Sequence, residues 1–180
     1  MKCYLFLFLF LWNVGNLTAQ ELYIPGKVTK GENASYYCSS INEFYIEVRN
    51  VLNTDTTKIV YDKNGQIVKN GFYYVLGTYQ FSKDDLFAVL KEIFIKEEWE
   101  KIYENKRLVL DIYYILLDDT GKAKEITFQF RKDDPIFTRL EPDRLYVIEQ
   151  RFKQILKFQL AAAQKTHKNP KCSYQTRWEF

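Results

Sequence analysis

The chain has 180 residues, a formal net charge of +3 and a hydrophobic fraction of 47%. This length is typical of one domain and is enough to bury a sizeable core. The small net charge is spread along the chain and gives no case for nucleic-acid binding, because nucleic-acid binders usually carry a clustered basic face.

The N-terminal segment has the pattern of a secretory signal peptide. Lys2 precedes an unbroken apolar run over 5–12, and small and polar residues then lead to Ala19. The run is well short of the roughly 20 residues that cross a bilayer, and Ala19 is a small residue at the cleavage position. We therefore expect residues 1–19 to be removed. The mature chain, residues 20–180, is expected to be one exported domain without a membrane span, in a periplasm or outside the cell.

Two cysteines remain in that mature chain, Cys38 and Cys172. An exported protein meets an oxidising environment, so a disulfide between these residues is one alternative. Two buried thiols that never meet are the other. The sequence leaves both open.

Residues 20–81 are expected to form a β-rich lead-in to the main core. The first part, 20–40, is polar and irregular and has room for one edge strand. Aromatic and β-branched residues alternate with polar ones in three later segments, which predicts three short strands. These segments are 44–52, 58–61 and 72–79. Asn-Gly pairs at 64–65 and 70–71 predict tight turns that join them in a β-meander.

Two short patterns in this lead-in match glycosylation motifs. Asn33 begins an Asn-Ala-Ser pattern, and Thr56 lies in an Asp-Thr-Thr stretch that resembles the O-glycosylation motif of some gut bacteria. Three-residue patterns are weak evidence, so the sequence assigns a modification to neither residue.

A helix is expected to open the main core, which spans 82–180. Ser82 can cap this helix, and Asp84 and Asp85 lie in its first turn, where the helix dipole favours negative charge. Apolar residues then recur at helical spacing, with charged residues on the opposite face, as far as Tyr103. The pattern predicts one continuous amphipathic helix.

The densest hydrophobic signal in the chain is the stretch over 107–130. An aliphatic and aromatic arm is followed by the turn sequence Asp118-Asp119-Thr120-Gly121, and a second arm alternates apolar with polar residues. Gly121 can take a positive φ without steric cost. The stretch predicts a β-hairpin against which the rest of the chain packs.

A second helix and a final strand are predicted after this hairpin. Glu141-Pro142-Asp143 is a helix start with proline at a tolerated position, and an apolar stripe continues to about Gln164. Residues 171–180 alternate between apolar and polar, as a half-buried strand does. The predicted fold is therefore α+β, an antiparallel sheet with two amphipathic helices packed on one face.

The order helix, strand, strand, helix, strand resembles the C-terminal domain of TonB-type proteins. The likeness rests on the strand 108–117, the Asp119-Thr120-Gly121 turn, the strand 124–130, the stripe 145–156 and the closing Trp178-Glu179-Phe180. It implies a three-stranded antiparallel sheet with two helices on one face. An energy transducer needs an uncleaved anchor and a proline-rich span, and this chain has four prolines. The whole chain resembles small secreted proteins of unknown function encoded by gut bacteria of the Bacteroides type.

A basic segment between the second helix and the final strand is a candidate contact for an anion or a partner. It contains Lys165, His167, Lys168 and Lys171. Clustered cations attract anionic surfaces and glycans, although such a segment is more often an ordinary solvated surface. His167 is the only histidine, and beside three cations it has the setting of a solvated loop residue.

The sequence contains no recognisable catalytic or metal-binding constellation, so we expect no enzyme activity, no metal and no cofactor. Paired acids at 84–85, 118–119 and 133–134 lie at a helix start, a turn and a break, where Asp favours local hydrogen bonds. The leading hypothesis is a non-catalytic exported module that binds a protein, peptide or cell-envelope component. The alternatives are a polysaccharide hydrolase that uses two of these acids, and an assembly protein that joins others by strand addition.

Overall fold

The structure is a computed structural model that describes residues 21–55, 59–68, 73–74, 80–104, 110–162, 164–168 and 170–174. The predicted signal peptide, Thr56 and residues 175–180 of the predicted last strand lie outside these ranges. The elements in chain order are β1 (Val28–Lys30), β2 (Ser35–Ser40), β3 (Tyr45–Asn50), β4 (Tyr73–Tyr74), α1 (Lys83–Ile93), α2 (Lys96–Glu104), β5 (Asp111–Leu117), β6 (Ala123–Arg131), α3 (Pro142–Ile155) and β7 (Lys171–Tyr174). Short 3-10 turns cover Phe137–Arg139 and Gln164–Thr166.

These strands form one sheet in the order β1-β2-β3-β6-β5-β7-β4. Six of them are antiparallel, and the two-residue β4 pairs in parallel with β7 at one edge. With three helices this is an α+β fold, as predicted. The TonB-like arrangement is not confirmed, because β6, β5 and β7 continue without a break into β3, β2 and β1.

The core lies between the helices and one face of this sheet. Alternate residues of β2 and β3 are buried, as the pleat of a half-buried strand requires. Buried side chains on paired residues form a row across four strands, from Cys38 through Val48 and Phe128 to Ile112. Helix α3 packs on β6, and α1 packs on α3. The lead-in strands thus share one core with the later elements.

A buried polar network fastens α3 to β2 and β3. Glu149 is fully buried, and its carboxylate accepts hydrogen bonds from the Tyr36 hydroxyl at 2.6 Å and from Asn50 Nδ2 at 3.1 Å. Lys153, one helical turn further on, donates to the other carboxylate oxygen. A carboxylate with these partners can be buried, because each lost contact with water is replaced.

The first predicted helix is capped as expected but is two helices rather than one. Ser82 and Asp85 form a capping box, in which each side chain accepts from the other residue's backbone N–H. The helix ends because Phe94 leaves helical geometry and sets its ring edge-on against Phe137 at 5.8 Å. Glu98 then accepts from the Ile95 N–H at 3.1 Å and starts α2.

The last helix begins at Pro142 as predicted and ends at Ile155, earlier than the expected Gln164. The reason is that the following residues bond to the hairpin turn instead of continuing the helix. Ala123 N–H donates to Leu156 O at 3.1 Å, and Phe158 N–H donates to Gly121 O at 2.9 Å.

The lead-in differs most from the sequence prediction. Its polar first part contains two strands, β1 and β2, where one was expected, and the predicted strand 44–52 is β3. The first Asn-Gly turn closes a short arm in which Tyr61 pairs with Ile67. The second lies outside the described residues. The predicted meander is not confirmed, because β4 lies at the sheet edge opposite β1.

No disulfide is present between Cys38 and Cys172, which are both buried free thiols. They belong to β2 and β7, which are four strand spacings apart, roughly 19 Å at about 4.8 Å per spacing. A disulfide requires its two Cα atoms to lie within about 7 Å of each other. The sheet order therefore selects the alternative of two separate thiols.

No helix among the described residues is long and apolar enough to cross a membrane.

Candidate functional site

A cleft of about 490 Å³ opens where three chain segments meet beside the end of the β5–β6 hairpin. The segments are the turn after Tyr61, the hairpin turn and the connection between α3 and β7. The lining residues are Lys63, Asp119, Leu160, Lys165, His167, Lys168 and Pro170.

The first wall of the cleft is a tight turn that presents Lys63. Asp62 Oδ1 accepts the backbone N–H groups of Asn64 and Gln66, both at 2.8 Å. Gly65 closes the turn with φ +81°, the left-handed region that glycine enters without a side-chain clash. The Asn-Gly signal in the sequence thus correctly located this turn, and Lys63 is exposed on it.

Backbone hydrogen bonds fix this turn against the basic segment. Lys63 N–H donates to Thr166 O at 3.0 Å, and Lys168 N–H donates to Tyr61 O at 2.8 Å. Between these two bonds, Asp62 and His167 face each other as a β-bridge. The result is a short two-stranded contact between residues about one hundred positions apart in the chain. It places Lys63 beside the predicted contact residues.

The opposite wall is the turn between β5 and β6. Asp118 is occupied by the turn itself, since its Oδ1 accepts from the N–H groups of Thr120 and Lys122, both at 2.9 Å. Asp119 is exposed, and no hydrogen bond or ion pair to its carboxylate is seen within the described ranges. The turn is held in place by the Phe158–Gly121 hydrogen bond, and Pro170 O accepts the N–H of Leu117 at 2.8 Å.

The charges around the cleft are mixed but mainly positive. Lys63, Lys165 and Lys168 are exposed and form no ion pair in the part of the chain that the structure describes, and Asp119 is the single carboxylate of the lining. His167 is 5% exposed. Burial lowers the pKa of His167, and the nearby Asp62 carboxylate opposes that shift. Burial of this side chain thus favours the uncharged imidazole.

The structure brings together three of the four predicted contact residues and separates the fourth. Lys171 is 1% exposed, and its ammonium donates to Asp55 at 2.6 Å and to Ile59 O at 2.6 Å, 5.8 Å from the centre of the Tyr114 ring. It lies on the sheet face away from the helices, opposite to Cys172. The sequence prediction placed Lys171 among solvated cations, but strand alternation and the overlying segment with Asp55 bury it.

One member of each acidic pair in the sequence has a local structural role. Asp85 caps α1, Asp118 holds the hairpin turn, and Asp134 Oδ1 accepts the N–H groups of Ile136 and Phe137 at 2.9 and 2.7 Å. Among the described residues, no three His, Cys, Asp or Glu side chains are grouped closely enough to hold a metal ion.

No family model and no curated protein matches this sequence. Among solved structures, the chain is similar to a DUF5043 family protein from Bacteroides uniformis. The TM-score is 0.66 and the sequence identity is 15%, and the likeness covers 86% of each chain. At this identity the similarity shows a shared fold and no shared activity. It agrees with the resemblance of the sequence to uncharacterised proteins of the Bacteroides type.

Two charged residues of the cleft, Lys63 and Asp119, were not among the predicted contacts. Each follows a turn-forming Asp in a segment that the sequence marks as a tight turn. The available signal was thus the turn chemistry, because turns present the next side chain to solvent. Which turns meet is a property of the tertiary structure.

Proposed function

We propose that this protein is a non-catalytic exported binding module that holds an anionic group of a cell-envelope component in the cleft at His167. The observation that carries the proposal is the convergence of Lys63, Lys165 and Lys168 around one concave site. Lysine ammonium groups form charge-assisted hydrogen bonds to carboxylates and phosphates, which are about twice as strong as neutral ones.

The shape of the site supports a bound group rather than a flat contact. A volume of about 490 Å³ lies within the range of small-molecule sites, roughly 300 to 1,000 Å³. Leu160, His167 and Pro170 are buried beneath the exposed lysines. A ligand in this cleft would lose contact with water, which strengthens its attraction to the lysines.

The chemistry of the lining favours binding over hydrolysis. Glycosidases typically use two carboxyl groups about 5 to 9.5 Å apart. Among the described residues that line the cleft, Asp119 is the one with a carboxylate. The adjacent Asp118 is engaged by the backbone of its own turn. A hydrolase acting here would lack the second acid or base.

The test measures anion binding to the mature chain, residues 20–180. Inorganic phosphate and sulfate are titrated at low ionic strength, and affinity is followed by calorimetry and by the NMR shift of the single histidine. The variant Lys165→Gln/Lys168→Gln should weaken binding at least ten-fold. The control Lys91→Gln, an exposed lysine on α1, should leave affinity unchanged.

Two results would refute the proposal. One is anion binding that is equal in the double variant and in the Lys91→Gln control, because the cleft would then not be the site. The other is turnover of a glycoside that disappears in Asp119→Asn, because the cleft would then be catalytic.

A further inference from the structure

We infer that the ligand of the cleft is an acidic sugar residue, one that carries a carboxylate together with free hydroxyl groups. This inference rests on the proposed function and names the ligand class of the same site. Its first support is the position of Asp119, since the other lining residues that the structure describes are cationic or uncharged.

A bare phosphate or sulfate does not match all of this lining. Such an ion offers mainly hydrogen-bond acceptors, which suit Lys63, Lys165 and Lys168 but are repelled by the Asp119 carboxylate. Asp119 is exposed on the β5–β6 turn, and Asp118, not Asp119, accepts the turn's backbone N–H groups. A ligand that fits both must carry an anionic group for the lysines and hydrogen-bond donors for Asp119.

The buried part of the lining indicates the chemistry of the uncharged part of such a ligand. Leu160 and Pro170 offer an apolar surface, and Leu160 is 7% exposed. A sugar ring has an apolar C–H face and hydroxyls at its edge. A hexuronic acid adds one carboxylate to that pattern.

The cleft also has the size and the openness that a sugar residue within a chain needs. Its volume of about 490 Å³ lies in the lower half of the range for small-molecule sites. A cleft of this size is too small to enclose a folded protein. The charged side chains at its edge are exposed, so a polymer can continue out of the cleft past the bound residue.

The experiment compares four probes on the mature chain by calorimetry at one ionic strength. They are the disaccharide of galacturonic acid, the neutral disaccharide of galactose, inorganic phosphate, and a dipeptide with free ends. We expect the acidic disaccharide to bind at least ten-fold more tightly than each of the other three. Lys165→Gln should weaken it several-fold, and Lys91→Gln should not.

Asp119→Asn is the variant that separates this inference from simple anion binding. It keeps the side-chain shape and removes the charge. It should weaken the acidic disaccharide and tighten phosphate, because the acceptor for hydroxyls is weakened and the repulsion of the anion is lost. Thermal melting of each variant confirms that the fold is kept, since the substituted side chains are exposed.

The outcomes distinguish the assignment of an acidic sugar from the more general proposal of anion binding. If phosphate binds as tightly as the acidic disaccharide and Asp119→Asn does not change their ratio, the sugar assignment is wrong and anion binding stands. If the dipeptide binds most tightly, the ligand is a zwitterion and the sugar assignment is again wrong. If no probe binds in a manner that depends on Lys165, both the ligand class and the proposed function are wrong.

Discussion

Replacing Gly121 by alanine tests how the cleft is built, because this glycine joins two of its walls. Gly121 has φ +85°, and a Cβ atom added to it would lie 2.0 Å from the carbonyl oxygen of Phe158. The same residue accepts the Phe158 N–H at 2.9 Å. A contact of 2.0 Å cannot be absorbed by a rotating side chain, since the opposing atom belongs to the backbone. The segment after α3 must move away.

The expected loss is larger than the cost of the backbone conformation alone. Alanine in the left-handed region costs roughly 1–2 kcal/mol. Forcing the backbones apart adds about 1–3 kcal/mol, and the lost hydrogen bond adds about 1 kcal/mol. We expect Gly121→Ala to lower the free energy of unfolding by about 3–6 kcal/mol relative to wild type.

Gly26→Ala is the matched control for this substitution. Gly26 has nearly the same φ, +83°, and an added Cβ would meet no atom within 4 Å. It should therefore lose only the roughly 1–2 kcal/mol of the backbone conformation. Urea denaturation followed by Trp fluorescence measures both variants. Phosphate affinity should also fall in Gly121→Ala, because Asp119 and Leu160 lie on the two segments that separate.

The result that would refute this reasoning is an equal loss of stability in the two variants. Equality would mean that the hairpin turn and the segment at Phe158 are not in contact in solution. An unchanged phosphate affinity in a destabilised Gly121→Ala protein would separately contradict the role of this contact in shaping the cleft.

Three further predictions concern buried polar groups. Glu149→Ala should lower the free energy of unfolding by about 3 kcal/mol, because Lys153 and two neutral donors lose their acceptor; Glu149→Gln, measured in the same urea titration, should lose less. Stability should fall as the pH drops below about 6.5, because burial lowers the pKa of folded His167 and the unfolded chain then binds more protons; His167→Gln should remove this slope. Burial raises the pKa of Cys38 to about 11 and that of Cys172 to about 12, so both thiols of the native protein should react slowly with iodoacetamide at pH 7.5.

Each of these has a clear contrary result. For Glu149→Ala it is a loss below about 0.5 kcal/mol, the size of a typical surface substitution effect. For His167 it is an identical pH slope in wild type and His167→Gln between pH 5 and 7. For the cysteines it is alkylation of the native protein as fast as that of the urea-unfolded chain, because the thiols would then not be buried.

Much of the local structure was predictable from the sequence because local chemistry decides it. Ser82 and Asp85 form the expected capping box, Gly121 takes the expected positive φ, and the turn that begins at Asp62 closes as its Asn-Gly pair indicated. In each case the residues that make the structure are within four positions of one another. Alternation likewise placed β3 and the second hairpin arm correctly, since the side-chain period of a strand is two.

The errors occurred where distant contacts override a local pattern. The apolar spacing from Ser82 to Tyr103 reads as one helix, yet burial of Phe94 against Phe137 divides it. The stripe of the last helix continues past Ile155, but the next residues bond to the hairpin turn instead. A helical pattern predicts which face of a helix would be buried. It does not predict whether a hydrogen bond to a distant segment will end the helix.

The residues alone predict the class of fold, the hairpin, the turns at 62–66 and 118–121 and a basic segment near the end of the chain. The role of that basic segment depends on contacts with distant parts of the chain. The fold separates four basic residues that are close in the chain: Lys165, His167 and Lys168 line a cleft, and Lys171 forms a buried ion pair. It also brings Lys63 and Asp119 to the cleft from distant segments. The physical reason is that backbone hydrogen bonds join turns that are distant in the chain. Such bonds do not depend on side-chain identity, so the sequence of each turn contains no pattern that predicts them.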